Sequence, residues 1–158
     1  MNRAQQLIES VVNGKDVVDT LKEFTEAVNE SGDGREQFIN AYIEAALWSG
    51  TDLSSGDENS SYEDTFEDEG YTPDDISPEL MSHIKDNCYS FFNMMKQQIG
   101  TNYEQAGHDF WLTRNGHGAG FWDRPEVYGE KEAKLLTATS KDFGEENWYS
   151  DDDQIHLG

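Results

Sequence analysis

The chain has 158 residues and a formal net charge of −22, from 33 Asp and Glu against 11 Lys and Arg. That balance excludes direct nucleic-acid binding, because no basic stripe exists to displace counterions from phosphates. It also opposes an anionic membrane and favours contact with basic surfaces.

Eight Phe, seven Tyr and four Trp supply a core and argue against global disorder. The length sets one domain, or one domain with an appendage. No apolar run is long enough to span a bilayer, and "MNRAQQLIESVVNGKDVV" lacks the apolar h-region of a signal peptide. Cys88 stands alone, which precludes an intramolecular disulfide and suits a reducing cytoplasm. A soluble intracellular protein is expected.

In chain order, residues 3–12 and 16–30 predict two helices broken near Asn13-Gly14. Val17, Leu21, Phe24 and Val28 give the second an apolar face. After "SGDG", a third helix over about 35–48 places Phe38, Tyr42, Ala45 and Trp48 on one side. From Thr51 to Asp75 the pattern fails, and this polar, acidic stretch predicts a long loop pinned by Tyr62, Phe66 and Tyr71. A fourth helix follows, with Ser77 as N-cap, Pro78 at the first helical position and Glu79 in the first turn. Leu80, Ile84, Cys88, Phe91, Phe92, Met95 and Ile99 form its apolar face, and Gly100 ends it.

"GHDFWLTRNGHGAGFWDR", residues 107–124, differs from its surroundings. Phe110 and Leu112 alternate with Trp111 and Thr113, the period of a strand, and Asn115-Gly116 is a tight-turn dipeptide. A hairpin returning through "FWD" is therefore expected. Residues 131–143 predict a further helix with Ala133, Leu136 and Phe143 inward. "NWYSDDDQIHLG" predicts a closing hairpin around Ser150 to Asp153. The expected fold is α+β, with several helices packed on a small three- to four-stranded antiparallel sheet. Residues 1–35 form a helical N-terminal extension in this reading. Residues 36–158 form the core, with its acidic loop at 51–75.

The charge is uneven. Residues 36–84 hold thirteen acids and no Lys or Arg, and residues 142–158 are net −6. Residues 114–141 between them are net +1. A solubility adaptation would spread its acids evenly, so the blocks favour an interaction surface.

"AYIEAALWSGTD" (41–52), "YTPDDISPELMSHIKDNCYSFF" (71–92), "AGHDFWLTRNGHGAGFWDR" (106–124) and "WYSDDDQIHLG" (148–158) together resemble a family of small, uncharacterised proteins of tailed bacteriophages. The resemblance covers roughly residues 38–157. Pro125 stands where members commonly carry Gly, and Ser150-Asp151-Asp152-Asp153 where they commonly carry Gly-Asp-Asp-Gly. The resemblance implies expression in the cytoplasm of an infected bacterial host. It supplies no catalytic residues.

His108, Asp109, His117 and Asp123 could face one another across the expected hairpin, and two His with two carboxylates can hold a divalent ion. Their spacing matches no named metal signature. The structural alternative makes Asn115, Gly116, Gly118 and Gly120 a turn. The Trp and Phe side chains then pack on the fourth helix, with Arg114 and Arg124 satisfied by carboxylates. Asp151 to Asp153 lack the alternating ligands and closing Glu of a calcium loop. Cys88 lies on an apolar face and is expected in the core. No phosphate loop, nucleophile elbow or zinc-protease helix is present.

The leading expectation is therefore a non-enzymatic acidic protein without cofactor that binds and inhibits a host protein with a basic surface. It would act as a DNA mimic against a nucleic-acid-binding defence protein, or against a regulator of transcription or replication. Neither nucleic acid nor membrane is a direct partner, and a homodimer is left open. The partner-binding array is Glu44, Asp52, Asp57, Glu58, Glu63, Asp64, Glu67, Asp68, Glu69, Asp74, Asp75 and Glu79. The alternative is a small metal- or ligand-binding domain, or an enzyme, using the four hairpin residues.

Overall fold

A computed structural model describes residues 34–50 and 64–158. The two helices expected before residue 33 lie outside the described residues, as do Tyr62 and the 51–63 part of the acidic loop. Helix α1, Arg35–Ser49, follows Gly34. It buries Phe38, Ile39, Ala41, Tyr42, Ile43, Ala45, Ala46 and Leu47, so most of its circumference faces protein. Phe38, Tyr42 and Ala45 point inward as expected, but Trp48 is 43% exposed. Ten residues beyond Phe38 the helix has rotated about 80° off that stripe.

The described part of the acidic loop is tied to the end of α1. Phe66 N donates to Gly50 O at 3.3 Å and Glu67 N to Leu47 O at 3.0 Å. The Phe66 ring is buried and meets Tyr71 and Trp148. A 3-10 turn at Pro73–Asp75 leads to helix α2, Pro78–Ile99. Ser77 Oγ accepts from Leu80 N at 3.2 Å, and the helix ends at Gly100. Its buried residues are the seven that the spacing selected, Leu80, Ile84, Cys88, Phe91, Phe92, Met95 and Ile99.

The expected hairpin over 107–124 is not formed. Tyr103–Arg114 is a helix, α3, and Phe121–Asp123 is a 3-10 turn. The short alternation failed because Phe110, Trp111, Leu112 and Thr113 are all buried. A helix packed on several sides shows no single apolar stripe, and four residues cannot separate the two periods. The Asn-Gly dipeptide stops this helix instead of turning a strand. Gly116 has φ +70°, its N–H donates to Thr113 O, and His117 N donates to Leu112 O at 3.0 Å. Those paired bonds around a left-handed glycine are the Schellman arrangement that closes helix C-termini.

Helix α3 lies against α1 over much of its length. A Cβ at Gly107 would stand 2.1 Å from Phe38 O and 2.9 Å from the Ala41 Cβ. Only glycine permits this backbone approach. On α2, Phe91 stacks on Phe110 with ring centroids 4.0 Å apart, and Phe121 lies 5.7 Å from Phe91. The short helix α4, Pro125–Tyr128, precedes α5, Glu130–Asp142, which buries Ala133 and Leu136. Phe143, at the end of α5, is half-buried against Phe91 and Phe110.

Strands β1, Trp148–Asp151, and β2, Gln154–Leu157, pair antiparallel with Trp148 opposite Leu157 and Asp151 opposite Gln154. Ile155 also bridges Ile76, and Ser77 N donates to Ile155 O at 2.9 Å. The closing hairpin thus sits on the entry to α2. The class is α+β, and the sheet has two strands among the described residues, where three or four were expected. The expected third and fourth strands were those of 107–124, whose residues are taken up by α3 and the 3-10 turn.

Candidate functional site

The described acids of the expected array line the surface between α1 and the start of α2. Glu44, Asp64, Glu67, Asp68, Glu69, Asp74 and Glu79 are exposed, and Asp75 is half-buried. Asp52, Asp57, Glu58 and Glu63 lie outside the described residues. Two of the carboxylates also shape the backbone that carries the others. Asp68 Oδ2 accepts from Thr65 N at 3.1 Å while Thr65 Oγ1 accepts from Asp68 N at 3.1 Å. Asp75 Oδ2 accepts from Thr72 N at 2.8 Å. Such reciprocal caps order a turn.

A groove of about 560 Å³ runs between α1 and this turn segment. Ile43, Leu47, Tyr71 and Pro73 give it apolar walls, and Glu44 and Glu67 stand along it. Apolar walls with carboxylates suit the stem and head of a Lys or Arg side chain.

The four residues considered for a metal hairpin are separated. Asp109 is fully buried and accepts from Arg124 Nε at 3.0 Å, Tyr128 Oη at 2.8 Å and Gln105 Nε2 at 3.1 Å. Burial raises its carboxyl above the ordinary value, against the opposing pull of Tyr128, Arg124 and Gln105. Burial and the Asp109 charge push the Tyr128 phenol up. Asp123 is exposed on its 3-10 turn, and His117 is half-buried beyond the end of α3. His108 faces Glu44 instead, its Nε2 3.5 Å from Glu44 Oε2. Adjacent residues on a helix diverge by about 100°, which is why His108 and Asp109 part.

Arg114 occupies a second buried network. Its Nε donates to Gly144 O at 2.8 Å and its NH2 group to Phe143 O at 3.0 Å. NH1 donates to Tyr42 Oη and to Asn87 Oδ1, each at 3.1 Å, and lies 3.9 Å from Glu146 Oε2. Tyr42 donates to that same Glu146 oxygen, and His83 meets the other. Glu146 N in turn donates to Asn115 Oδ1 at 2.8 Å. Burial, then Glu146, raises the Tyr42 phenol, and the same two causes raise the Cys88 thiol well above its ordinary value. A buried thiol held protonated is a poor nucleophile. Both arginines of the 107–124 stretch are thus satisfied by carboxylates, with its Phe110, Trp111 and Phe121 in the core. Trp122 departs from that reading and is 51% exposed.

Sequence reasoning missed Glu146, Tyr42, Asn87 and His83 as partners of one site. Glu146 is one acid in an acidic tail, and no local signal distinguishes it from Glu145. Among the described residues, no helix is long and apolar enough to cross a membrane. No protein-family model, curated protein or solved structure matches the chain.

Proposed function

We propose that this protein binds and inhibits a host protein that has a basic surface, as a mimic of nucleic acid directed at a defence or regulatory protein. The observation that carries this is the exposure of Glu44, Asp64, Glu67, Glu69, Asp74 and Glu79 within a segment, 36–84, that contains no Lys or Arg. Two of the six, Glu44 and Glu67, line the groove flanked by α1, where a partner's cationic side chains find both apolar contact and charge. Duplex DNA presents about one charge per 1.7 Å of axis, and carboxylates held on ordered backbone offer a competing field. The resemblance to tailed-phage proteins supports a setting in the infected bacterial cytoplasm, where blocking such a protein serves the phage. The protein acts by binding, not catalysis, in keeping with the burial of its one thiol.

The test is capture of host partners by the full chain, followed by competition with duplex DNA. A nucleic-acid-binding protein should be retained at low salt, lost steeply as salt rises, and displaced by the duplex. Neutralising Glu44, Glu67, Asp74 and Glu79 to Gln or Asn should abolish capture. Recovery of no basic protein at low ionic strength sinks the proposal.

A further inference from the structure

We infer that Glu44, Glu104 and His108 form a binding site for a divalent first-row metal ion, with zinc as the best-suited probe. One ligand atom from each lies within 4.8 Å of the others, close enough that small side-chain rotations bring all three onto a single ion. Glu104 and His108 are one turn apart on α3, so their side chains lie on one face. Glu44 comes from α1, and its position relative to α3 is set by the contact at Gly107. Phe38, Ala41 and Glu44 follow one another along α1 at steps of three, and Gly107 packs on the first two. The site therefore spans two helices whose backbones cannot slide apart without opening the core.

His108 adds an independent observation. Its Nε2 is shielded from solvent yet has no hydrogen-bond partner among the described residues, with Glu44 Oε2 at 3.5 Å. A ring nitrogen withheld from water without a partner is costly, and a cation between it and the two carboxylates removes that cost. One imidazole and two carboxylates suit zinc or neighbouring divalent ions, and three protein ligands leave positions for water. The acidic surroundings raise the local cation concentration. This site shares only His108 with the hairpin set considered from sequence, and it does not require a protein partner.

The test is titration of the full chain with Zn²⁺ at about 0.15 M salt, followed by calorimetry and by thermal melting. Saturable binding of one equivalent is expected, with a rise in melting temperature. Losing a residue that only orients a ligand weakens metal binding roughly 10–100-fold, so His108→Ala and Glu104→Gln should each weaken it about 100-fold. Glu126→Gln, an exposed acid on α4 outside both the set and the acidic array, should leave it unchanged. Metal-free melts of each variant verify folding, because all three changes are at the surface or partly so. A wild-type chain that does not saturate overturns the inference. So does a His108→Ala chain that binds as the wild type does. Because the measurement uses the isolated chain, its failure leaves the partner-binding proposal standing, and the reverse also holds.

Discussion

Tyr42 on α1 donates its hydroxyl to Glu146 Oε2 at 2.9 Å, joining positions 104 residues apart. The same hydroxyl accepts from Arg114 NH1 at 3.1 Å. One phenol therefore links the guanidinium to the carboxylate and holds α1, α3 and the segment before β1 in one arrangement. Removing one partner of a buried charge pair strands the other, at a cost of roughly 3–5 kcal/mol. Arg114→Met should lose about that much in urea unfolding. Tyr42→Phe keeps the ring and should lose about 1–3 kcal/mol. The double variant should cost less than the sum, because both act on Glu146. A loss under about 1 kcal/mol for Arg114→Met would mean that water already solvates Glu146.

Asp109 makes stability depend on pH in a defined direction. Its folded carboxyl titrates above the ordinary value of 3.8, chiefly through burial. The native state then holds this proton more tightly than the unfolded chain does. The stabilisation is complete below 3.8 and is lost as pH rises through the higher folded value. Asp109→Asn removes that titration. The stability difference, wild type minus variant, should therefore fall as pH rises from about 3 towards 7 in urea melts. A difference that grows with pH would contradict the burial argument.

Gly107→Ala should destabilise the protein although alanine favours helices. The added methyl would sit 2.1 Å from Phe38 O, a backbone atom that cannot rotate away. Forcing α1 and α3 apart should cost roughly 1–3 kcal/mol, set against about 1 kcal/mol of gained helix propensity. Thermal unfolding should show a lower midpoint. An unchanged or higher midpoint would show that the two helices have room to separate.

Asp153→Gly should stabilise the closing hairpin. Asp152 and Asp153 form its two-residue turn with φ of 51° and 61°. Both central positions of such a turn favour glycine or asparagine over most other residues. Asp tolerates the left-handed region imperfectly, and three consecutive acids repel one another. The gain should be about 0.5 kcal/mol, after the entropy that glycine adds to the unfolded chain. It should shrink in high salt by the part due to repulsion. A lower melting midpoint would argue that Asp153 makes a stabilising contact of its own.

Elements with local signals were legible in the sequence. Ser77, Pro78 and Gly100 mark α2 by capping chemistry, and its one-sided burial made all seven core residues readable from spacing. Helix α5 and the final hairpin were legible for the same reason. In α3 the signals conflicted. Asn115-Gly116 serves a hairpin turn or a helix end equally well, and burial on several sides erased the periodicity. The site followed the same division. The base-free acidic segment is visible in composition alone, whereas the meeting of His108 with Glu44 and Glu104 required knowing that 103–114 is a helix packed on α1.

By itself, then, the sequence determined the charge blocks, the capped helix α2 and the closing hairpin, because these depend on neighbours within a few positions. Tertiary structure alone decided that residues 103–114 coil into α3, since that choice rests on what surrounds Phe110 and Trp111. It also paired Arg114 with Glu146 and brought Glu44 to Glu104 and His108. The last three meet because helices pack at distances set by their smallest residues, here Gly107 against Phe38 and Ala41. A contact made across a helix interface is a property of the packed core, not of any one segment that enters it.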